Sequence, residues 1–304
     1  MRATFISRQA TDLTAVNAAR ASMGKVHTVF DDSDTGLLAY LHRENHFTPF
    51  THQRETFDMR AHNVKFAHMS ETDTAGMVKT HSKGRVKMRH SIYGWANLIA
   101  KGLLDPDVAG DVAYHLHRIY PHTAKALMLP HGKPSEHAVH LPSSSEQDHR
   151  FIDVTLHIKV PFFVIRQLDT HKVGFARNEQ SGRYIKFVVE YFKFGWRKKP
   201  DGNVKQGSGT KANLLQRIVS SVAYCIVRAV TLPAYHLLIA CGIAKEQARG
   251  LLPMACYTEY YWTASLASYG RMYHLRNDPH AQAETGRIAA LIGREVYRNT
   301  GIAL

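Results

Sequence analysis

The segment from residue 151 to residue 184 constrains the fold more than any other part of the chain. Residues 151–159 alternate between polar and apolar side chains, and this period of two predicts a half-buried β-strand. Pro161 suits the first turn of a helix that follows the strand. The stretch from Arg166 to Tyr184 then crowds charged and amide side chains between two apolar runs. This order predicts a strand, a helix and an exposed polar segment.

Three side chains of the polar stretch, Glu179, Ser181 and Arg183, alternate along the chain and would point the same way in an extended segment. They offer a carboxylate, a hydroxyl and a guanidinium, which suit a ligand with an anionic group and a hydrogen-bonding ring. The alternative is an ordinary polar turn that Gly182 permits. The residues alone leave both interpretations open.

Composition limits the class of protein. The 304 residues carry a formal net charge of +14, which suggests polyanionic partners, either nucleic acid or phosphate-bearing small molecules. Three cysteines, Cys225, Cys241 and Cys256, show no paired spacing, so we expect a reducing cytoplasm. No apolar run reaches the ~18 residues of a membrane span, and we therefore expect no membrane-spanning segment.

Two histidines, His46 and His52, flank a kink that Pro49 imposes on Thr48. Paired histidines in a turn are usually exposed polar residues. A zinc site needs three or four ligands, and no cysteine or carboxylate cluster accompanies this pair. We therefore expect no metal.

The piece Asn178–Tyr184, NEQSGRY, resembles the second half of the signature of the flavin-dependent thymidylate synthases, Asn-Glu-x-Ser-x-Arg-Tyr. The first half of that signature, Arg-His-Arg, corresponds to Thr170-His171-Lys172 with one inserted residue, or to His171-Lys172-Val173 without a gap. The first arginine is absent in both alignments. The segments Ala18–Ser22 and His46–His52 resemble two further motifs of the family, which contact the flavin.

The C-terminal third carries three more blocks in the family's order, Ala248–Pro253, Tyr257–Thr263 and Leu275–Glu284. Two family asparagines that touch the flavin are replaced here by Ser265 and Arg271.

The resemblance covers about residues 1–60 and 151–299. It implies one catalytic domain, 1–304, in which residues 61–150 are an inserted, mostly helical segment. That segment could be a lid, an oligomer contact or a nucleic-acid surface.

The implied fold is α+β, with a central, mostly antiparallel sheet flanked by helices, as in the flavin-dependent thymidylate synthases. The resemblance also implies a homotetramer with flavin bound where subunits meet. Residues 212–239 form a long apolar region that predicts a helix, and we expect it to serve core and subunit packing.

The resemblance also implies site residues. Arg183 and Arg276 would be catalytic, because a donor beside a pyrimidine carbonyl stabilises negative charge as the ring is activated. The implied nucleotide-binding residues are Gln167, Glu179, Ser181, Gly182, Arg183, Arg249 and Arg276. The implied cofactor-binding residues are Ser22, His46, Thr48, Thr170, His171, Lys172, Glu179, Ser265 and Arg271.

The activity implied by the resemblance is reductive methylation of deoxyuridylate (dUMP) to thymidylate (dTMP). FAD would be the cofactor, with NADPH and methylenetetrahydrofolate as co-substrates. Two alternatives stay open, because the altered Arg-His-Arg region and the insertion fall near the expected site. One is a related flavin-dependent methylation or hydroxymethylation of a pyrimidine nucleotide. The other is a non-catalytic basic homologue that binds nucleic acid, although we expect nucleic acid to be an unlikely partner.

Overall fold

Two four-stranded antiparallel sheets, each accompanied by helices, form the framework. The computed structural model describes residues 1–186, 188–201 and 207–304, apart from the side chain of residue 144. The strands are β1 (Arg2–Ser7), β2 (Arg54–Arg60), β3 (Val78–Ser82), β4 (Arg85–Ser91), β5 (Ala138–Leu141), β6 (Asp153–Pro161), β7 (Phe175–Glu179) and β8 (Tyr257–Ser265). The helices are α1 (Asp12–Ala21), α2 (Asp32–Arg43), α3 (Glu71–Thr74), α4 (Ile92–Ala100), α5 (Pro106–Ile119), α6 (Pro121–Ala126), α7 (Phe162–Leu168), α8 (Leu214–Ala240), α9 (Lys245–Ala248), α10 (Leu266–Arg276) and α11 (Ala283–Thr300).

The first sheet has the strand order β1-β6-β8-β7. The strand predicted from the alternating run is β6, and its residues Val154, Leu156 and Ile158 are fully buried. They share a core with buried side chains of α7, α10 and α11. Burying each such side chain stabilises the fold by about 1.5–3 kcal/mol. The first sheet therefore holds α7, and the polar segment that follows it, in a fixed position.

The second sheet has the order β3-β4-β2-β5 and is built mostly from the inserted segment. The segment contains α3 to α6, but it also supplies β3, β4 and β5, so the prediction of a mostly helical insertion missed its strands. These strands are short, and β3 reads VKTHS, which lacks the apolar alternation that marks a strand. The predicted α+β class with antiparallel sheets is confirmed, with the strands divided between two sheets.

A buried ion cluster joins the two sheets. The Asp153 carboxylate of β6 accepts hydrogen bonds from Arg89 of β4 (2.9 Å) and Arg54 of β2 (3.4 Å). Arg89 is only 1% exposed, and burial is the main cause that lowers the pKa of its guanidinium. One carboxylate therefore compensates two cations at the junction between the sheets.

Helix α8 forms where the apolar region predicted it, but it does not belong to the core of this chain. Tyr235 is its one buried residue among those described. Apolar side chains such as Val222 and Ile226 are more than half exposed. By length and composition alone, α8 is also the one described helix that could cross a membrane. An apolar surface of this length marks an interaction site.

Candidate active site

Helix α7 separates the predicted nucleotide residues into two groups. On one side of the helix lies a cleft of about 700 Å³, which we call cleft A. Arg166 of α7 and Asp169, the residue that follows α7, are part of its lining. On the other side, Gln167 contacts Arg276. The polar and charged lining of cleft A is Arg166, Asp169, Arg177, Glu179, Gln180, Ser181, Arg183, Glu246 and Arg249.

Cleft A brings together four of the predicted nucleotide residues, Glu179, Ser181, Arg183 and Arg249. The Glu179 carboxylate is oriented by Thr258 Oγ1, which donates to it at 2.9 Å. The loop after β7 turns at buried Gly182, and the Ser181 N–H donates to the Ser22 carbonyl at 2.9 Å. Ser22, predicted to touch the cofactor, therefore contacts the backbone of the cleft A residue Ser181 but does not itself line the cleft.

Only some of the arginines that line cleft A are paired with carboxylates. Arg177 is neutralised, since it forms ion pairs with Asp169 and with Glu179 (3.3 Å). Arg166, Arg183 and Arg249 are exposed and make no ion pair with any described carboxylate. Unpaired guanidinium groups that converge on one cleft suit a phosphate or another anion with several acceptors.

The other group surrounds Arg276, and we call it the Arg276 cluster. Arg276 donates to Thr170 Oγ1 (2.7 Å), the Gln167 carbonyl (3.0 Å) and His171 Nε2 (2.8 Å). His171 must therefore be neutral, with its proton on Nδ1, and burial together with the charges of Arg276 and Arg271 lowers its pKa. The Gln167 side chain bonds to Gln282 and Thr285 instead of facing cleft A.

A second cleft, cleft B, has a volume of about 530 Å³ and is lined by three predicted cofactor residues, Lys172, Ser265 and Arg271. Arg54 and Arg150 add two cations that sequence reasoning did not place there. The remaining lining residues are Thr74, Gly76, Met77, Val78, Val173, Gly174, Phe175, Ala267 and Ser268. No described residue of this lining carries a carboxylate, but Arg54 pairs with Asp153 and Arg150 with Asp148 from outside the lining. Lys172 and Arg271 are therefore the lining cations that make no ion pair with a described carboxylate.

His46 and Thr48 lie outside both clefts. His46 is exposed, and its ring centroid is 6.4 Å from that of Tyr40. Thr48 is exposed and accepts a hydrogen bond from Thr51 through its carbonyl oxygen. The predicted cofactor residues are therefore spread over cleft B, the Arg276 cluster, cleft A and this surface turn.

For His52 the sequence left two interpretations, an exposed turn residue or part of a flavin-contacting motif, and the structure excludes the first. His52 is 1% exposed; its Nδ1 is 2.7 Å from Thr263 Oγ1 and its Nε2 is 3.1 Å from Asn178 Oδ1. Burial is the main cause that lowers the pKa of His52 to about 3, and nearby Arg54 adds to it. Each contact belongs to a different motif block, so His52 connects the Thr-Pro-Phe turn, β7 and β8. The sequence signal for the role of His52 was its place as the second histidine of the segment His46–His52, which resembles a family motif.

The described residues also bring His27, Asp31 and Asp34 within range of a shared metal ion, although we expected no metal. The buried Asp34 carboxylate already accepts from Arg20 at 2.7 Å, and His27 Nδ1 lies 3.1 Å from it. This group is accounted for as an ion-pair network that fixes α1 against α2.

Comparison with known proteins places these features in a family. The family model described as thymidylate synthase complementing protein matches residues 143–300, just over half of the chain. A protein named flavin-dependent thymidylate synthase from Kosmotoga olearia is 36% identical over 140 residues, which are 45% of this chain and 60% of that protein. The chain thus spans about three fifths of that relative's length. A protein of the same name from Aquifex aeolicus is 26% identical over 95% of both chains.

Among solved structures, the crystal structure of a UMP/dUMP methylase PolB from Streptomyces cacaoi bound with 5-Br UMP is 16% identical, with a TM-score of 0.46. The alignment covers 98% of this chain and 88% of that one.

Proposed function

Because this chain belongs to the thymidylate synthase complementing protein family, we propose that it is a flavin-dependent thymidylate synthase that methylates dUMP to dTMP. The observation that carries the proposal is that each of the two clefts beside the family motifs contains cationic side chains that make no ion pair with a described carboxylate. Cleft A suits a nucleotide monophosphate, and cleft B suits a flavin nucleotide. NADPH and methylenetetrahydrofolate are the proposed co-substrates, and the reducing cytoplasm is the proposed location.

Cleft A fits dUMP by size and by chemistry. Its volume of about 700 Å³ lies within the range of about 300–1,000 Å³ that is usual for small-molecule sites. Arg166, Arg183 and Arg249 bind the phosphate and a pyrimidine carbonyl. Glu179 and Ser181 accept and donate hydrogen bonds to the rest of the nucleotide, and Thr258 holds the Glu179 carboxylate in place.

Cleft B fits FAD, because Lys172 and Arg271 make no ion pair with a described carboxylate and can meet its phosphates, and Phe175 and Val173 offer apolar contact. Bound flavin would supply the hydride chemistry of the reaction. Lys172 and Arg271 hold its phosphates. Arg271 is itself positioned by hydrogen bonds to Ser268 Oγ (3.1 Å) and the Val173 carbonyl (3.4 Å).

Within one chain, Arg276 does not reach cleft A, since α7 lies between them. We propose that a second copy of the chain completes the site, so that Arg276 of one copy faces cleft A of another. Neutral His171 then orients the Arg276 guanidinium through the bond at 2.8 Å, and that guanidinium stabilises negative charge on the activated pyrimidine ring. The proposed assembly is a homotetramer, with the apolar surface of α8 as a subunit contact.

The direct test of the proposed activity is a product assay. Purified protein supplied with FAD, dUMP, NADPH and methylenetetrahydrofolate is expected to form dTMP, and omission of any one component should abolish the product. Formation of 5-hydroxymethyl-dUMP instead would favour the related pyrimidine chemistry. Salt-sensitive binding to DNA without any turnover would favour the nucleic-acid-binding alternative.

Substitution of Arg249 and Arg276 tests whether these two residues bind the nucleotide. Arg249→Ala and Arg276→Ala are each expected to weaken dUMP binding by about 1.5–3 kcal/mol, or roughly 10- to 150-fold, because each removes a charged hydrogen-bond donor. Calorimetric titration with dUMP measures the change. Arg43→Ala is the matched control, since Arg43 is an exposed arginine remote from both clefts. Unchanged dUMP affinity in both variants would remove these residues from the site.

The apolar surface of α8 is tested through the oligomeric state. The double variant Val222→Asp and Ile226→Asp is expected to convert the assembly to smaller species in sedimentation velocity, because both side chains are exposed in the single chain and would be buried between copies. Tyr297→Asp on α11, also an exposed apolar residue, should leave the assembly intact. A double variant that sediments like the unaltered protein would show that α8 is no subunit contact.

A further inference from the structure

The inserted segment reaches cleft B. Its residues Thr74, Gly76, Met77 and Val78, at the end of α3 and the start of β3, line one side of the cleft. Three of the four lining cations, Arg54, Lys172 and Arg271, come from elsewhere in the chain, and Arg150 is the last residue of the inserted segment. The stretch from Thr74 to Val78 therefore supplies an uncharged part of the lining, which is apolar at Met77 and Val78.

Contacts within the insertion fix this side of the cleft. The Asp73 carboxylate accepts from Ser70 Oγ (2.7 Å) and pairs with Lys101, while His90 Nε2 donates to the Asp73 carbonyl at 2.9 Å. Gly76 has a φ of +76°, a left-handed conformation that strains other residues, and it turns the chain from α3 into β3. Met77 packs against the core of the second sheet. Residues 74–78 are thus held by the fold of the insertion.

The opposite side of the cleft is tied to the insertion through the buried ion cluster. Arg54 Nη1 donates to the Gly174 carbonyl at 2.9 Å, in the loop that carries Lys172. The same nitrogen lies 3.4 Å from Asp153, which also binds Arg89 of the insertion. Both sides of cleft B therefore depend on one connected set of contacts, so their spacing is fixed.

We propose that residues 74–78 of the insertion form the wall of cleft B that contacts a planar ring of the flavin nucleotide, and so determine which dinucleotide the cleft accepts. The inference rests on the proposed function. Flexible thioether and aliphatic side chains at Met77 and Val78 pack favourably against an aromatic ring. Lys172 and Arg271, which make no ion pair with a described carboxylate, hold the phosphates. The ring is the isoalloxazine or the adenine of the nucleotide, which share this chemistry.

The test places a carboxylate in the wall. Met77→Glu and Thr74→Glu, made in the full chain, are expected to weaken FAD binding at least tenfold in a fluorescence titration, because each puts a charge against the ring and the phosphates. Thr74 is exposed and bonds only to carbonyls of its own turn, so its variant should fold. Val139→Glu is the matched control, because Val139 is an exposed valine of the same sheet outside cleft B. Met77→Leu should retain FAD binding.

Titrations with FMN and with ADP identify the ring. A loss of affinity for FMN in the two glutamate variants assigns the wall to the isoalloxazine, and a loss for ADP alone assigns it to the adenine. FAD affinity in both variants equal to that of Val139→Glu would overturn the inference while leaving the proposed function intact. If the unaltered protein binds no FAD, both the proposed function and the inference fail.

Discussion

Replacing Asp153 with alanine is expected to lower the free energy of unfolding by about 3–5 kcal/mol, because it leaves buried charge uncompensated. The Arg89 side chain is 1% exposed and the Arg54 side chain 6% exposed, and Asp153 is the carboxylate that both contact. Two further nitrogens of Arg89, Nε and Nη2, are already buried without a hydrogen-bond partner among the described residues. The loss is a large part of the ~5–15 kcal/mol that stabilises a typical protein.

Urea unfolding followed by circular dichroism measures this loss. Asp58→Ala is the matched control, because the Asp58–Arg85 pair at 3.0 Å also lies on the second sheet but is well exposed, and its removal should cost about 0–1 kcal/mol. The double variant Asp153→Ala and Arg89→Met should recover part of the stability, since it also removes one buried charge. Equal losses at Asp153 and Asp58 would contradict the account of the sheet junction.

Lowering the pH from about 6.5 to 5 is expected to cost about 3 kcal/mol of unfolding free energy through two buried histidines. Burial is the largest cause that lowers the pKa of His52 to about 3 and that of His90 to about 4. The folded protein keeps both rings neutral over this range, whereas the unfolded chain protonates them below about 6.5. The unfolded state therefore binds more protons, and stability falls as the pH falls, by up to about 1.4 kcal/mol per pH unit for each ring.

Unfolding free energies measured between pH 8 and pH 5 test this expectation. The double variant His52→Gln and His90→Gln should lose most of the slope, although it will be less stable at pH 8. His46→Gln is the control, because His46 is exposed and its replacement should leave the slope unchanged. A flat profile for the unaltered protein over this range would contradict the expectation for both rings, since either ring alone would still give about half of the predicted loss.

Part of the candidate site was predictable because its residues are close in sequence. Glu179, Ser181 and Arg183 lie on one short segment, and all three line cleft A, although Ser181 and Arg183 lie in the turn after β7 and not in an extended segment. The strand β6 and helix α7 followed from hydrophobic period and from Pro161. Such local patterns determine local structure, so they can be read without knowledge of the fold.

The rest depended on long-range packing. Cleft B includes Arg54 and Arg150 because β2 and the turn that precedes β6 lie beside Lys172 in the fold. No spacing in the sequence indicates that these segments are neighbours. The insertion's short strands were missed because each carries few apolar residues, and the core that buries them against α4 and α5 forms only when the strands pair. The exposure of α8 was not predictable either, because an apolar sequence pattern does not distinguish a helix of the core from a helix with an exposed apolar surface.

The most direct test of the central claim is the visible absorbance spectrum of the purified protein with FAD, before and after addition of dUMP. We expect an absorbance band of protein-bound flavin whose position or intensity changes when dUMP binds, because cleft A and cleft B would be joined in one site of the assembled protein. A protein that cannot be loaded with FAD, or a flavin band that dUMP leaves unchanged, would contradict the account.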